Sequence, residues 1–391
     1  MEKRRLYYID NLRVATIMLV IMIHLAVTYS GIGLWFYNEH RPVGFFNHIF
    51  FSFFQAFAQG FSMGMLFFVA GYFTPMAYDR KNPYRFISDR FHRLVLPALF
   101  FMLVITPLLL WAMKSPMWDY NSPVFFESYL LYLQSFCMKL FGIGPMWFTL
   151  ALFVFCVIYM LWRSVRPQVA NPDTRQVVVL TTGRLLALTA IIAAVAFTLR
   201  LFFPIGSVFW GMQLGYFSQY IFLFIAGIVA CHTRCFESIT SAAGRKWLVA
   251  GLILGFAGWL MLRYFDGPYD FSTFTLKAVN TGKRSAGGLS WTAAYYAVWE
   301  SFVAVAMTMG LLSLFRDKMN IINGFAEKFS ASSFAVYMFH PLIIVAVTLL
   351  MGPLNIMPVA KWALAVVISI PLCFLIGYHI LLRIPLLNKI L

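Results

Sequence analysis

Acidic side chains are scarce in this sequence, and so are charged side chains of every kind. Asp and Glu account for 14 of the 391 residues, and all charged residues together make up 11%. Soluble globular domains carry about 25% charged residues. Because no stretch is polar enough to form a separate soluble domain, we expect residues 1–391 to form a single membrane-embedded unit.

Cysteine is also sparse, with five in the chain. Three of them (Cys156, Cys231 and Cys373) lie in apolar segments, which argues against a disulfide framework. The Cys-His-Thr-Arg-Cys run at 231–235 superficially resembles a metal site. No second pair of ligands accompanies it, so we expect no zinc site and no other metal.

Long apolar runs dominate the chain instead. Hydrophobic residues make up 61% of it and the mean hydropathy is +0.79. About 20 apolar residues suffice for a helix to cross the hydrocarbon core of a bilayer. The sequence therefore predicts an all-α, polytopic membrane protein with about ten transmembrane helices. The ten candidate segments are residues 14–30, 50–73, 94–113, 145–162, 184–203, 216–232, 247–264, 292–315, 332–352 and 361–383.

The distribution of basic residues predicts how these helices are oriented. A net charge of +16 could indicate a nucleic-acid-binding surface, but the basic residues are scattered between apolar segments. With the N-terminus inside, 21 of the 30 Lys and Arg residues fall on the cytoplasmic side and nine on the other. The positive-inside rule then places both termini in the cytoplasm. We expect the lipid bilayer, and no nucleic acid, as a partner.

Two connections on the outer side stand out. Residues 123–144 are aromatic and interrupted by glycine, and an eleventh span there would invert the rest of the charge pattern. We expect an interfacial or re-entrant segment. Residues 265–291 form the longest polar connection, and their Gly and Ser content indicates a flexible outer loop.

An ionisable residue lies within the first apolar segment. His24 follows Arg13 by eleven residues, so a helix places it about 16 Å further along, near the middle of the bilayer. A charge there costs on the order of 2.5 kcal/mol or more, which makes such a residue a functional candidate. Histidine can also exchange a proton near neutral pH. The alternative is a histidine that only hydrogen-bonds a neighbouring helix.

Four motifs follow one another along the chain. They are Tyr8-Ile9-Asp10-Asn11-Leu12-Arg13, then Phe67-Phe68-Val69-Ala70-Gly71-Tyr72-Phe73 with a basic loop ending in Arg90-Phe91-His92-Arg93, then Pro145-Met146-Trp147-Phe148, and finally Ser332-Ser333-Phe334-Ala335-Val336-Tyr337-Met338-Phe339-His340-Pro341.

In order, spacing and ten-span layout, the chain resembles the acyltransferase-3 family of integral-membrane O-acyltransferases over nearly its whole length. The resemblance implies one transmembrane acyltransferase domain over 1–391, as a multi-pass protein of the bacterial inner (plasma) membrane. It also implies transfer of an acetyl or succinyl group from cytoplasmic acyl-CoA to a hydroxyl of an extracytoplasmic or cell-surface carbohydrate. Acyl-CoA would be a co-substrate, with no bound cofactor. Glu300 and the run at 382–387 resemble the branch that contains periplasmic-glucan succinyltransferases.

The resemblance implies a catalytic role for His24, which matches the essential histidine of the family. A neutral imidazole can take the proton of a sugar hydroxyl and so make it a nucleophile. Glu300 lies toward the outer end of the eighth span. It is expected either to orient His24 or to bind acceptor hydroxyls, and the alternative is a carboxylate that is simply hydrated near the interface.

The resemblance also implies that Arg13, Arg90 and Arg93 bind the donor. Arg90 and Arg93 are spaced i, i+3 and project from one face of a helix, where two guanidinium groups can bind phosphate oxygens bidentately. The alternative is that all three are topological anchors. Asp10 is a supporting candidate, and a carboxylate near a helix N-terminus also complements the helix dipole.

Two further residues are supporting candidates. Trp147 either stacks on a sugar ring or belongs to the aromatic belt at the interface. His340 either takes part in catalysis or hydrogen-bonds a backbone carbonyl that Pro341 leaves free. A different class of protein, a transporter or flippase for a small anionic or lipid-linked substrate, remains the alternative. Such proteins usually have two corresponding halves with interrupted helices, and the sequence contains none that we can identify.

Overall fold

The computed structural model describes residues 6–33, 35–39, 43–113, 129–134, 142–166, 178–233, 235–276, 283–321 and 323–384. Ten helical stretches in these residues are long and apolar enough to cross a membrane, which confirms the ten predicted spans. They are Tyr7–Ser30, Phe45–Tyr78, Pro83–Ala112, Gly144–Val165, Thr182–Phe202, Leu214–Thr233, Ser241–Asp266, Trp291–Lys318, Ala326–Leu350 and Pro358–Arg383.

Several spans contain more than one helical element, and two short strands complete the fold. The α-helices are α1 (Tyr7–Ser30), α2 (Phe45–Gln59), α3 (Ser62–Tyr78), α4 (Pro83–Arg90), α5 (Leu96–Phe100), α6 (Thr106–Ala112), α7 (129–134), α8 (Trp147–Val165), α9 (Thr182–Phe202), α10 (Phe217–Thr233), α11 (Ser241–Asp266), α12 (Lys283–Ala286), α13 (Trp291–Lys318), α14 (Gly324–Leu350) and α15 (Pro358–His379). Turns of 3₁₀-helix cover Gly144–Met146, Leu214–Tyr216, Cys235–Ser238 and Leu381–Arg383, and π-helical turns cover Phe91–Val95 and Phe101–Ile105. Strands β1 (Tyr269–Asp270) and β2 (Thr275–Leu276) pair antiparallel.

Helix α1 lies in the interior of the bundle, where it contacts α2, α13, α14 and α15. Its apolar residues are buried on more than one side, as expected of a helix surrounded by other helices. The described residues contain an even number of spans, so the start of the first span and the end of the last lie on the same face of the bundle. The connections that follow the first, third, fifth and seventh spans then lie together on the opposite face.

Helices α3 and α10 pack closely through glycine. A Cβ atom on Gly71 would lie 2.1 Å from the carbonyl oxygen of Phe224, and one on Gly227 would lie 2.1 Å from that of Phe68. Any side chain at these two positions would push the helices apart. The glycine at position 71 in the second motif is therefore explained by close packing. The backbones of two spans meet there, as is common between membrane helices.

The third span contains proline residues. A tyrosine hydroxyl replaces the backbone hydrogen bond that one of these prolines, Pro107, cannot make. Pro107 has no N–H to donate to Leu103, and the Tyr129 hydroxyl donates to that carbonyl at 3.0 Å instead. The Tyr132 hydroxyl donates to the Met102 carbonyl at 2.5 Å. These two bonds hold α7 against the span. The rest of the expected interfacial segment, at 123–128 and 135–141, lies outside the described residues.

The predicted flexible loop at 265–291 is folded in its described parts. Residues on either side of 277–282, which lie outside the described part, form the β1–β2 hairpin and α12. The Asp266 carboxylate accepts a hydrogen bond from the backbone N–H of Ser285 at 2.7 Å, and Ser285 is buried. The buried Asp266 carboxylate thus ties together two points near the ends of the loop, and the flexibility expected from its Gly and Ser content stays a prediction.

Candidate active site

The loop after α1 folds back over the helix end. Gly31, with φ of +67°, terminates α1 in the left-handed conformation that glycine adopts readily. The backbone N–H of Glu39 donates to the Thr28 carbonyl at 2.8 Å. The Glu39 carboxylate pairs at 2.8 Å with Lys361, whose ammonium group is buried at the start of α15. The loop is therefore tied to both α1 and α15.

This loop brings an aromatic ring onto His24. The Trp35 indole stacks on the His24 imidazole, with ring centroids 3.8 Å apart and an interplanar angle of 14°. The His340 ring lies 5.2 Å from His24 by centroids, at an interplanar angle of 19°. Three nearly parallel rings, from α1, the following loop and α14, thus meet at one place. The structure places His340, a supporting candidate from the sequence, beside the principal candidate.

The hydrogen bond of His340 agrees with its expected structural role. Pro341 cannot donate to the Tyr337 carbonyl, and Nδ1 of His340 lies 2.9 Å from that oxygen and donates to it. This contact confirms the predicted bond to a freed carbonyl. In the neutral ring it leaves Nε2 as the unprotonated nitrogen, and Nε2 is buried without a hydrogen-bond partner among the described residues. The Tyr337 hydroxyl donates to the Pro145 carbonyl, which links the third and fourth motifs.

His24 lies in the wall of a cavity of about 970 Å³, which we call the His24 cavity. The lining includes residues of four connections, at 32–36, 142–145, 205–213 and 285–286. These are the connections on the face opposite the chain ends, so the cavity lies on that side. In the described part of the chain, the His24 imidazole makes no side-chain hydrogen bond, although its ring is held by stacking. Its nitrogens are available to a bound molecule.

Many of the polar groups that line the His24 cavity belong to aromatic side chains. Trp147 lines it and stacks on Tyr220 with centroids 5.4 Å apart. Trp210 also lines it, 60% exposed, at the tip of a turn where its φ is +48°. A bulky residue in the left-handed region is unusual and costs energy. The turn thus presents an indole to the cavity, and Trp147 presents a second one.

Glu300 is not in contact with His24 among the described residues. Its carboxylate pairs with the Arg200 guanidinium and accepts a hydrogen bond from the Gln219 amide at 3.0 Å. Both charged side chains are buried, at 1% and 3% exposure. The expectation of a carboxylate hydrated near the interface was therefore wrong. The pair lies behind the cavity wall, because the Arg200 guanidinium stacks against Tyr216 and Tyr296, which line the cavity.

Two of the residues expected on the donor side, Asp10 and Arg13, lie near the other end of α1. Arg13 is 3.4 Å from the Asp10 carboxylate and donates to the Ser330 hydroxyl on α14 at 3.2 Å. Its side chain is 43% exposed. Eleven residues of helix, about 16 Å, separate Arg13 from His24, so the two do not share a site.

Arg90 immediately precedes the first π-helical turn of the third span, and Arg93 lies within that turn. Arg93 is exposed, and Arg90 lies over the Phe86 ring at 5.4 Å. Within the described residues, neither guanidinium forms an ion pair with a carboxylate. Both are therefore available to an anionic ligand. π-helical turns are also frequent at functional sites.

Sequence reasoning missed several residues of this site. Trp35, Arg200 and Lys361 are all absent from the four motifs. The sequence did contain one indication for Arg200 and Lys361. A basic residue inside a span requires a partner, because buried charges are normally paired. In the described part of the chain, no three His, Cys, Asp or Glu side chains come together in a way that could hold a metal.

The fold and cavity define a multi-pass helical membrane protein with a histidine facing a large cavity at one end of its bundle. A family model described as an acyltransferase domain matches residues 6–378, and the chain belongs to this family, acyltransferase-3. Membership supports acyltransferase activity within the membrane. Comparisons with curated proteins and with solved structures gave no match.

Proposed function

We propose that this protein transfers an acetyl or succinyl group from cytoplasmic acyl-CoA to a hydroxyl of a carbohydrate on the outer side of the bacterial inner membrane. One observation carries the proposal. The His24 imidazole is held by Trp35, makes no side-chain hydrogen bond in the described structure, and faces a cavity of about 970 Å³. The chain belongs to a family of acyltransferases, and acyl transfer is a reaction that this histidine could catalyse.

The proposed chemistry is general base catalysis by His24. A neutral imidazole nitrogen takes the proton of the acceptor hydroxyl as its oxygen attacks the thioester carbonyl. The new carbon–oxygen bond forms, the carbon–sulfur bond breaks, and the proton passes from the imidazolium to the leaving thiolate of CoA. The products are the acylated carbohydrate and free CoA, and no further reactant is required.

The charge pattern supports a donor that enters from the cytoplasmic side. Arg13, Arg90 and Arg93 lie at helix ends assigned to that side by the excess of Lys and Arg. Guanidinium groups suit the phosphates of CoA, because they can donate two parallel hydrogen bonds to one anion. From there the long, flexible pantetheine arm of CoA would carry the thioester along α1 toward His24.

The lining of the His24 cavity supports a carbohydrate acceptor. Trp147 and Trp210 present broad rings on which the C–H face of a sugar can pack, and Gln55 and Gln59 offer amides nearby. Such a mixture of aromatic and uncharged polar groups suits a molecule with many hydroxyls. The stacking role proposed for Trp147 belongs to this acceptor site.

The test measures CoA release by the detergent-purified protein. Acetyl-CoA and succinyl-CoA are supplied in turn, with β-glucan oligosaccharides as acceptor, and free thiol and acylated product are both measured. We expect His24→Ala to reduce transfer at least about 100-fold. The matched control is His379→Ala. It removes an exposed histidine at the end of α15, opposite to the end that carries Lys361. Transfer should also fall at acid pH, because a protonated imidazole cannot accept a proton.

Two results would contradict the proposal. A folded His24→Ala protein that keeps more than a tenth of wild-type transfer would remove His24 as the base. A wild-type protein that releases CoA from neither donor would favour a transporter instead.

A further inference from the structure

The His24 cavity contains one basic side chain and, among its described lining residues, no acidic one. The basic residue is Arg263, near the end of α11. The other polar side chains of the lining are neutral amides and hydroxyls together with His24. The described lining therefore carries a net positive charge.

Three basic residues of the described helices are buried, and Arg263 differs from all three. Arg163, Arg200 and Lys361 each pair with a carboxylate, of Asp79, Glu300 and Glu39 respectively. Arg263 makes no ion pair or hydrogen bond in the described part of the chain, and its Nε is buried without a partner.

The nearest carboxylate along α11 is already engaged. Asp266, one turn further on, accepts the hydrogen bond of the Ser285 backbone that closes the outer loop. The charge of Arg263 is nevertheless felt nearby. Burial raises the pKa of the Tyr269 hydroxyl, and the positive charge of Arg263 opposes that rise. A guanidinium that faces a cavity without a counter-charge is incomplete, because buried charges normally have partners.

We propose that Arg263 is an anion subsite of the His24 cavity and binds a carboxylate or phosphate group of the substrate. The subsite rests on the proposed function, since it assumes that the cavity holds a substrate of His24. The oxyanion has two sources, an acidic substituent of the carbohydrate acceptor or the free carboxylate of a dicarboxylic acyl group such as succinyl.

The chemistry of arginine favours such a ligand over a neutral one. A planar guanidinium donates two parallel, charge-assisted hydrogen bonds to a carboxylate or phosphate, which an uncharged hydroxyl cannot accept in the same way. The amides of Gln55 and Gln213 in the lining lack this charge. Loss of a hydrogen bond to a charged group typically weakens binding by about tenfold or more.

The test measures binding through tryptophan fluorescence, since Trp35, Trp147 and Trp210 line the cavity. The purified full-length protein is titrated with matched pairs of probes. Glucuronate is compared with methyl glucoside, and glucose 6-phosphate with glucose, for an anionic acceptor. Succinate is compared with succinamide for an anionic acyl group. The variants are Arg263→Gln and Arg263→Lys. The control is Arg284→Gln, which removes an exposed arginine of the same outer region that does not line this cavity.

We expect the wild-type protein to bind the anionic member of at least one pair about tenfold more tightly. Arg263→Gln should abolish that preference, Arg263→Lys should keep part of it, and Arg284→Gln should leave it unchanged. The pair that shows the preference identifies the source of the anion. Equal affinity for both members of every pair, or a preference that survives Arg263→Gln, overturns the subsite.

Failure of the subsite is distinguishable from failure of the proposed function. Release of CoA without any anion preference removes the subsite and leaves the acyltransferase. An anion preference that depends on Arg263, without CoA release from either donor, keeps the subsite and removes the proposed reaction.

Discussion

The indole of Trp35 lies flat on the imidazole of His24, 3.8 Å away and within 14° of parallel. Such contacts typically contribute about 0.5–1.5 kcal/mol beyond burial. Here the stack does more than stabilise the loop. It fixes the plane of an imidazole that no side-chain hydrogen bond orients in the described structure, in the wall of the His24 cavity.

Removal of the Trp35 ring should therefore slow the reaction without weakening donor binding. A displacement of about 1 Å in a catalytic group can cost about 100-fold in rate. We expect Trp35→Ala to lower kcat for transfer by about 10- to 100-fold with the KM for acyl-CoA unchanged, while Trp35→Phe keeps most of the activity. The control is Trp291→Ala, at an exposed tryptophan at the start of α13. Unchanged kcat in folded Trp35→Ala would exclude a positioning role.

The buried pair of Arg200 and Glu300 should be required for folding. Loss of one partner leaves an uncompensated charge in a buried site, which typically costs about 3–5 kcal/mol. We expect Glu300→Gln and Arg200→Gln each to lower the thermal unfolding midpoint of the purified protein markedly. The double variant Arg200→Met with Glu300→Met should recover part of the loss. A Glu300→Gln protein with wild-type stability and no transfer would instead support the catalytic role first expected for Glu300.

Arg90 and Arg93 should discriminate between arginine and lysine if they bind CoA. An ammonium group cannot reproduce the two parallel hydrogen bonds of a guanidinium. We expect Arg90→Lys and Arg93→Lys each to weaken CoA binding by about tenfold, as measured by calorimetry. Arg85→Lys, at an exposed arginine of α4, is the matched control. Wild-type affinity in both lysine variants would identify the arginines as topological anchors.

The proposed orientation can be tested with single cysteines. Tyr84 and Leu289 are 85% and 88% exposed. The order of the spans places them on opposite faces of the bundle. In a Cys137→Ser background, Leu289→Cys should react with an impermeant thiol reagent in intact cells, and Tyr84→Cys should react only after lysis. The reverse pattern would invert the topology and the direction of acyl transfer with it.

The sequence predicted the spans well, because crossing a bilayer imposes a length and an apolar composition that can be counted. All ten apolar segments correspond to helical stretches of the structure. It did not predict the break at Gly60 between α2 and α3 or the π-helical turns of the third span. These are local departures from regular helix that leave the average hydropathy unchanged.

The candidate site was only partly predictable for a related reason. His24 and His340 were singled out separately, and the structure places their rings together. The partner of Glu300 lies 100 residues away on α9, and no periodicity within one helix indicates which span it meets. Trp35 lies in a loop, where a hydropathy pattern assigns no neighbours. Contacts between spans depend on how the helices pack, which one sequence read alone does not give.

The ion pair between Glu39 and Lys361 has a consequence for the biosynthesis of the protein. Glu39 follows the first span and Lys361 begins the last, so more than 300 residues separate the two ends of this bond. A ribosome makes the His24 helix first, but the loop that carries Trp35 has no anchor on α15 until the final span has been threaded into the bilayer. The loop that carries Trp35 therefore lacks one of its two anchors through most of the synthesis of the chain, and its contact with α15 can form only in the last step of assembly.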